Sequence, residues 1–457
     1  MIRDMTEGSP SKLLWAFSLP MLFSVMFQQL YNIADSVIAG QFVGENALAA
    51  VGASYPITMI FMAVATGSNI GCSVVISQLF GAKNYGKMKC CIYTSIISII
   101  SLSLIFTVLG TVFTNPLMNL LKTPGEIFSD SALYLRVYVF GLLFLFVYNI
   151  CTGIFTALGD SRTPLYFLIA SSLSNIVMDV VFVVFFKMGV AGVAWATFIC
   201  QGAAACLAFA VLIKRIKGIE TEKNEKIEVF SLSMLGRISI MAVPSIMQQS
   251  FISIGNLFIQ GLINLNGPAV IAGYSAAVKL NTFVMTCFNT LANGVSSFTA
   301  QNVGAGKSER VKKGYRAGLI MEFCIAVPFV AAFLIFGSQM LGIFMSYSES
   351  SPEAFDAGRS FLNIVAPFYL VVTVKIVTDG LLRGAGSVLA FTVSTFTDLA
   401  LRVILSFVLT YIFAAGNISP SYWGIWISWP VGWIISTIIS LIFYFRGTWK
   451  KRAFVNI

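Results

Sequence analysis

The sequence predicts an all-α polytopic membrane protein of twelve transmembrane helices in two pseudo-symmetric six-helix bundles. Three observations lead there. Of the 457 residues, 57% are hydrophobic and 11% are charged, against about 25% charged in a soluble domain. The apolar residues gather in long unbroken segments, each able to supply the roughly 20 residues that cross a bilayer. A transmembrane β-barrel would show alternating segments of about ten residues instead. Finally, basic residues recur in every second loop, which is the mark of a fixed topology.

Twelve apolar segments follow one another, at 13–39, 48–78, 91–115, 132–157, 164–186, 190–213, 234–262, 270–300, 314–341, 358–382, 388–414 and 422–445. Arg3, Asp4, Glu7 and Lys12 precede the first, which is too long for the apolar core of a signal peptide. It is therefore expected to persist as a helix. Glu45 marks the loop after span one, and Lys83, Lys87 and Lys89 the loop after span two. Lys122, Glu126, Asp130 and Arg136 surround the next junction, then Arg162, then Lys187. Lys214, Arg215 and Lys217 close span six. Lys307, Arg310, Lys312 and Lys313 lie between spans eight and nine. Glu349, Glu353, Asp356 and Arg359 come before span ten, and Arg383 ends it. Arg446, Lys450, Lys451 and Arg452 follow span twelve. The strongly basic set and both termini share one side, so the positive-inside rule places both termini in the cytoplasm of a cell membrane. The formal net charge of +10 then reads as topology, and no nucleic-acid partner is expected.

Lys214 to Glu228 is the most polar stretch. It divides the chain into an N-lobe at 1–213, a cytoplasmic linker at 214–232 and a C-lobe at 233–457. The lobes resemble each other. Gln78-Leu79-Phe80-Gly81-Ala82-Lys83 follows span two, and Gln301-Asn302-Val303-Gly304-Ala305-Gly306-Lys307 follows span eight, 223 residues later. Pro20 aligns with Pro244, Asn32 with Asn256, Gly52 with Gly273, and Gly153 with Gly380. An ordered series at near-constant offset points to duplication. Each half has an even number of spans, so the repeats are parallel. Such folds work by rocking one lobe against the other around a central substrate. One chain carries both lobes, so a monomer is sufficient.

Carboxylates inside apolar segments are costly, by about 2.5–3.5 kcal/mol at a helix centre, and usually serve ions, protons or substrate. Asp35 lies near the outer end of span one, Asp179 near that of span five, and Thr197 at a similar depth in span six. At 1.5 Å per residue all three sit about 10–15 Å below the outer surface. Asn175 shares a face with Asp179 at i, i+4. Together they offer hard oxygen ligands for a small cation such as sodium, or for a shared proton. Gln28, Tyr31 and Asp35 form a polar stripe down span one, which lines a cavity or seals a helix seam.

The second half carries Asp379 with Arg383 and Asp398 with Arg402, each spaced for an intrahelical ion pair. Lys279, Glu322 and Lys375 are lone charges in or near apolar segments, able to snorkel, to pair or, for Lys279, to line the lobe interface. Eight cysteines, without a CxxC pair, read as packing residues. The chain has no histidine, which excludes imidazole chemistry and argues against an intramembrane enzyme. Gly304-Ala305-Gly306-Lys307-Ser308 is not a phosphate loop, because Gln301 stands where a glycine is needed and a membrane helix precedes it. Gly67 with Gly71, and Gly380 with Gly384, have the spacing of close helix packing.

The pattern resembles the multidrug and toxic compound extrusion (MATE) family over nearly the whole chain. The resemblance rests on the twelve spans, the six-plus-six repeat and the paired Gln-x-x-Gly-Ala loops. It also rests on Pro20, on Ala157-Leu158-Gly159-Asp160 and on Leu382-Arg383-Gly384-Ala385-Gly386. It implies a V-shaped pair of bundles and export of amphipathic, often cationic compounds coupled to protons or sodium, with no cofactor. In the prokaryotic branch with an N-lobe cation site, the ligand types match Asp35, Asn175, Asp179 and Thr197. The drug-contacting glutamine and tyrosine of that branch match Gln28 and Tyr31. A branch that uses a span-seven glutamate is not matched, since Gln248 and Gln249 stand there. A flippase for lipid-linked oligosaccharides, of the same superfamily, is the alternative. It would call for a more cationic cavity.

Overall fold

The computed structural model describes residues 3–38, 45–221, 227–345, 352–416 and 421–450, with side chains described to Tyr31 in the first helix and from Ala49 in the second. All regular elements among them are helical. They are α1 (Pro10–Ile38), α2 (Glu45–Gly81), α3 (Tyr85–Leu120), α4 (Gly125–Phe140), α5 (Leu142–Ala157), α6 (Arg162–Val180) and α7 (Val190–Lys217). The second half holds α8 (Leu232–Ile263), α9 (Pro268–Gly304), α10 (Ser308–Leu341), α11 (Pro352–Val365), α12 (Tyr369–Gly384), α13 (Val388–Ala415) and α14 (Trp423–Phe445).

Among the described residues, eleven helical stretches are long and apolar enough to cross a membrane, and α4 with α5, bent by 47°, makes a twelfth. The bend falls at Gly141, where a β-carbon would lie 3.2 Å from the Tyr138 carbonyl oxygen. Span ten is α11 and α12 joined by a 3-10 turn, Ala366–Phe368. Pro367 accounts for that turn, since it lacks the N–H that an uninterrupted helix needs. Span five runs on from α6 through a π-helical turn, Val181–Phe185.

The repeat is written into the turns. After α2, the N–H groups of Ala82, Lys83 and Asn84 donate to the carbonyls of Gln78, Phe80 and Leu79. After α9, those of Ala305, Gly306 and Lys307 donate to Gln301, Val303 and Asn302. Lys83 at φ 58° and Gly306 at φ 73° hold the same left-handed position, the residue type of a helix C-cap in one copy and a strained lysine in the other. Gly159 at φ 78° and Gly386 at φ 77° repeat the motif after spans four and ten. The Gly304–Lys307 segment is thus a helix terminus.

The chain forms two compact units. Of the described residues, one comprises those within 3–5 and 19–250, the other those within 6–18 and 251–450. Where the sequence suggests division at 214–232, the beginning of α1 belongs with the second unit and the first part of α8 with the first. The physical reason is glycine. In the first unit, a β-carbon on Gly71 of α2 would lie 2.6 Å from the Ala242 backbone nitrogen of α8. In the second, a β-carbon on Gly294 of α9 would strike the Ser18 hydroxyl of α1. Gly71 and Gly294 are equivalent in the repeat, as are Ser18 and Ala242. Gly380 and Gly384 of α12 give the same close approach to Ala292 and Ser296 of α9.

The second unit has an aromatic core. Tyr274 stacks on Trp426 at 5.2 Å, and Phe361 meets Trp426 and Trp429 edge to face. All eight cysteines are free thiols.

Candidate functional site

In the first unit, α6 and α7 are antiparallel neighbours joined by a short turn in which Lys187 and Gly189 take left-handed φ. This pairing brings Asn175 and Asp179 of α6 beside Thr197 of α7. Asp179 is fully buried and Asn175 nearly so. In the amide orientation that satisfies both of its ends, the Asn175 nitrogen donates to Asp179 Oδ2 at 3.0 Å and to the Tyr31 hydroxyl oxygen at 2.9 Å. Its oxygen accepts from the Thr197 backbone N–H at 3.1 Å. One amide therefore ties three spans together, and buried polar groups satisfied in this way fix one geometry.

Two of the expected ligands, Asn175 and Asp179, meet directly, as the i, i+4 spacing requires. Thr197 is half-buried and joins them through its backbone. Thr197 also lines a cavity of about 10 Å³ with Tyr134, Tyr138 and Gln201, room for about one water. Tyr31 touches the site, whereas Gln28 is exposed. Helix α1 continues one turn past Tyr31 to Asp35, whose side chain lies outside the described residues. The π-helical turn starts two residues after Asp179, a feature frequent at functional sites. Chemically the site offers a buried carboxylate, a phenol, an amide and a hydroxyl, which suit a proton or a small cation. No group of three or more metal-ligating histidine, cysteine or acidic residues occurs among the described residues.

The charges of the second half take other partners than those expected. Asp379 and Asp398 do not bind Arg383 and Arg402. Lys375 lies 2.9 Å from Asp379 and 3.6 Å from Asp398. Asp379 Oδ1 also accepts from Ser394 and Ser440, at 3.0 and 2.6 Å. Arg383 donates to Asn293 at 2.6 Å, and Arg402 lies over the Trp429 ring at 4.6 Å. Asp379 keeps helical spacing with a different partner, Lys375 four residues earlier on α12, and α13 brings Asp398 to the same ammonium from the side. Lys279 sits 5.5 Å above Phe344. Glu322 is fully buried, and neither of its carboxyl oxygens has a hydrogen-bond partner among the described residues.

One contact was not foreseen. Asp160, in the turn before α6, binds Arg215 at the end of α7, and its carboxylate accepts from the Thr163 backbone N–H at 3.1 Å and hydroxyl at 2.8 Å. An acid placed three residues before a helical threonine, like an N-cap, was the available signal.

Comparison with known proteins agrees with this architecture. The MatE family model matches residues 20–181 and 244–408, so its two copies open on Pro20 and Pro244. The "Probable multidrug resistance protein YpnP" of Bacillus subtilis is 28% identical, over 98% of this chain and 97% of its own length. The "Multidrug export protein MepA" of Staphylococcus aureus is 24% identical over 89% of each. A solved MOP superfamily transporter from Pyrococcus furiosus superposes with a TM-score of 0.88 at 24% identity, covering 98% of both chains.

Proposed function

The chain belongs to the MatE family, and on that premise we propose that it is a multidrug efflux transporter of the cell membrane, exchanging protons or sodium for amphipathic and cationic organic compounds. The observation that carries this reading is the buried Asn175 amide joining Asp179, Tyr31 and Thr197. A cation or proton arriving at Asp179, with Asp35 one turn beyond Tyr31, changes the charge that the three spans enclose. Coupling requires only that the ion bind one transport state better than the other. Release of drug to the outside then follows cation entry from the outside. Tyr31 and neighbouring aromatic rings hold a delocalised cation through their faces. The named efflux relatives support the substrate class. Both termini lie in the cytoplasm and the single chain is the working unit.

An acid, an amide and a phenol suit a cation better than a pyrophosphate, which disfavours the lipid-linked oligosaccharide flippase. The test is uptake of a fluorescent lipophilic cation into proteoliposomes under separately imposed proton and sodium gradients. Transport driven by one gradient, and lost in Asp35→Asn and in Asp179→Asn, is expected. Normal export by both variants would remove the coupling site.

A further inference from the structure

The first unit holds the acids that the family resemblance singles out. The second holds one that it does not. Glu322 lies in the apolar length of α10, is 0% exposed, and neither of its carboxyl oxygens has a hydrogen-bond partner among the described residues. The other buried acids among the described residues are compensated. Asp160 has Arg215, Asp379 and Asp398 have Lys375, and Asp179 has the Asn175 amide.

An uncompensated carboxylate costs several kcal/mol in such a place, and even a neutral carboxyl without partners is expensive to bury. Packing alone would favour a leucine or methionine. The helices packed on α10 supply no counter-charge to Glu322. From α9 the Cys287 thiol is in electrostatic contact with Glu322, and Lys279 is placed over Phe344. On α12, Lys375 is committed to Asp379 and Asp398, Arg383 to Asn293, and the Tyr369 hydroxyl to Asn281. On α11, Arg359 donates to Ser338, while Glu353 and Asp356 are exposed. A metal cation would need more oxygen ligands than one carboxyl. A proton needs none.

The helix that carries Glu322 is also interrupted. Pro328 lies six residues beyond it, and Phe336 departs from helical geometry at φ −109°, ψ 15°. Pro328 removes the N–H that would bond the Cys324 carbonyl, so α10 has a ready place to bend and admit water.

We propose that Glu322 is a proton-binding site of the C-terminal unit, separate from the Asp179 site. It holds a proton while enclosed as seen here and releases it when α10 admits water. The inference concerns proton binding and does not rest on drug export.

The test is infrared spectroscopy of the full-length protein labelled with carbon-13 glutamate. Ordinary glutamates, with pKa about 4.3, are ionised at neutral pH, and the other glutamates whose side chains are described are exposed. A label-sensitive protonated-carboxyl band is therefore expected at neutral pH, equivalent to one group per chain and lost reversibly as pH rises. It should vanish in Glu322→Gln and persist in Asp179→Asn. Absence of the band at neutral pH overturns the proposal, and so does a band that never titrates or one that survives Glu322→Gln. If Glu322→Gln does not fold, the labelled wild-type titration decides alone. Because the readout is spectroscopic, its failure is distinct from failure of the antiport reading.

Discussion

The Asn175 amide nitrogen lies 2.9 Å from the Tyr31 hydroxyl, so the polar stripe of span one and the acid-bearing face of span five share one hydrogen bond. Tyr31→Phe removes the acceptor and leaves a buried N–H unsatisfied. A net hydrogen bond is worth about 0.5–1.5 kcal/mol. The coupling ion should therefore act at up to about tenfold higher concentration, in a folded protein. Asn175→Ala removes all three contacts and should abolish ion-driven transport. Ion titrations of dye uptake in proteoliposomes check both.

Gly71 and Gly294 are equivalent but their neighbours differ. A methyl on Gly71 meets the Ala242 backbone, which cannot be trimmed, whereas one on Gly294 meets the Ser18 side chain. Overpacking costs roughly 1–3 kcal/mol. Both alanine variants should melt at lower temperature. Ser18→Gly should restore Gly294→Ala substantially, and no side-chain change at position 242 should restore Gly71→Ala. Melting curves in detergent, arranged as double-mutant cycles, measure this.

Lys375 balances two aspartates in the second unit. Lys375→Met leaves both without a bound cation, and breaking a buried pair costs about 3–5 kcal/mol. Asp398→Asn should cost much less, because Asp398 sits farther from the ammonium and its Oδ1 makes no hydrogen bond. Asp379→Asn should fall between, since two serines and Lys375 meet that carboxylate. Thermal stability should rank Asp398→Asn above Asp379→Asn above Lys375→Met.

Span number was legible because a bilayer demands length and hydrophobicity, both countable in sequence. The bend at Gly141 was not, since a bent pair and a straight helix have the same composition. Asn175 and Asp179 were legible because four residues on one helix fix a shared face. The partners of Asp379 and Asp398 were misread for a complementary reason: Asp379 could meet a cation four residues before it or four after it, and it meets Lys375, while nothing in helical spacing says that Lys375 also reaches across to Asp398 on α13. The solitude of Glu322 is likewise a property of its neighbours. The crossed beginnings of α1 and α8 depend on which glycines face which helix, and the repeat pointed to those glycines without naming their partners.

The crossed helix beginnings carry a meaning for how this chain arose. Each compact unit is completed by the opening turns of the other half's first helix, as in a domain-swapped dimer whose subunits have since been joined by the 214–232 segment. An ancestor of one half-length would have needed its twin to cover the glycine seam of its second helix. The same reasoning applies to the present chain: residues 1–213 and 233–457, made as separate polypeptides, should be insoluble alone and recover a native assembly only when produced together.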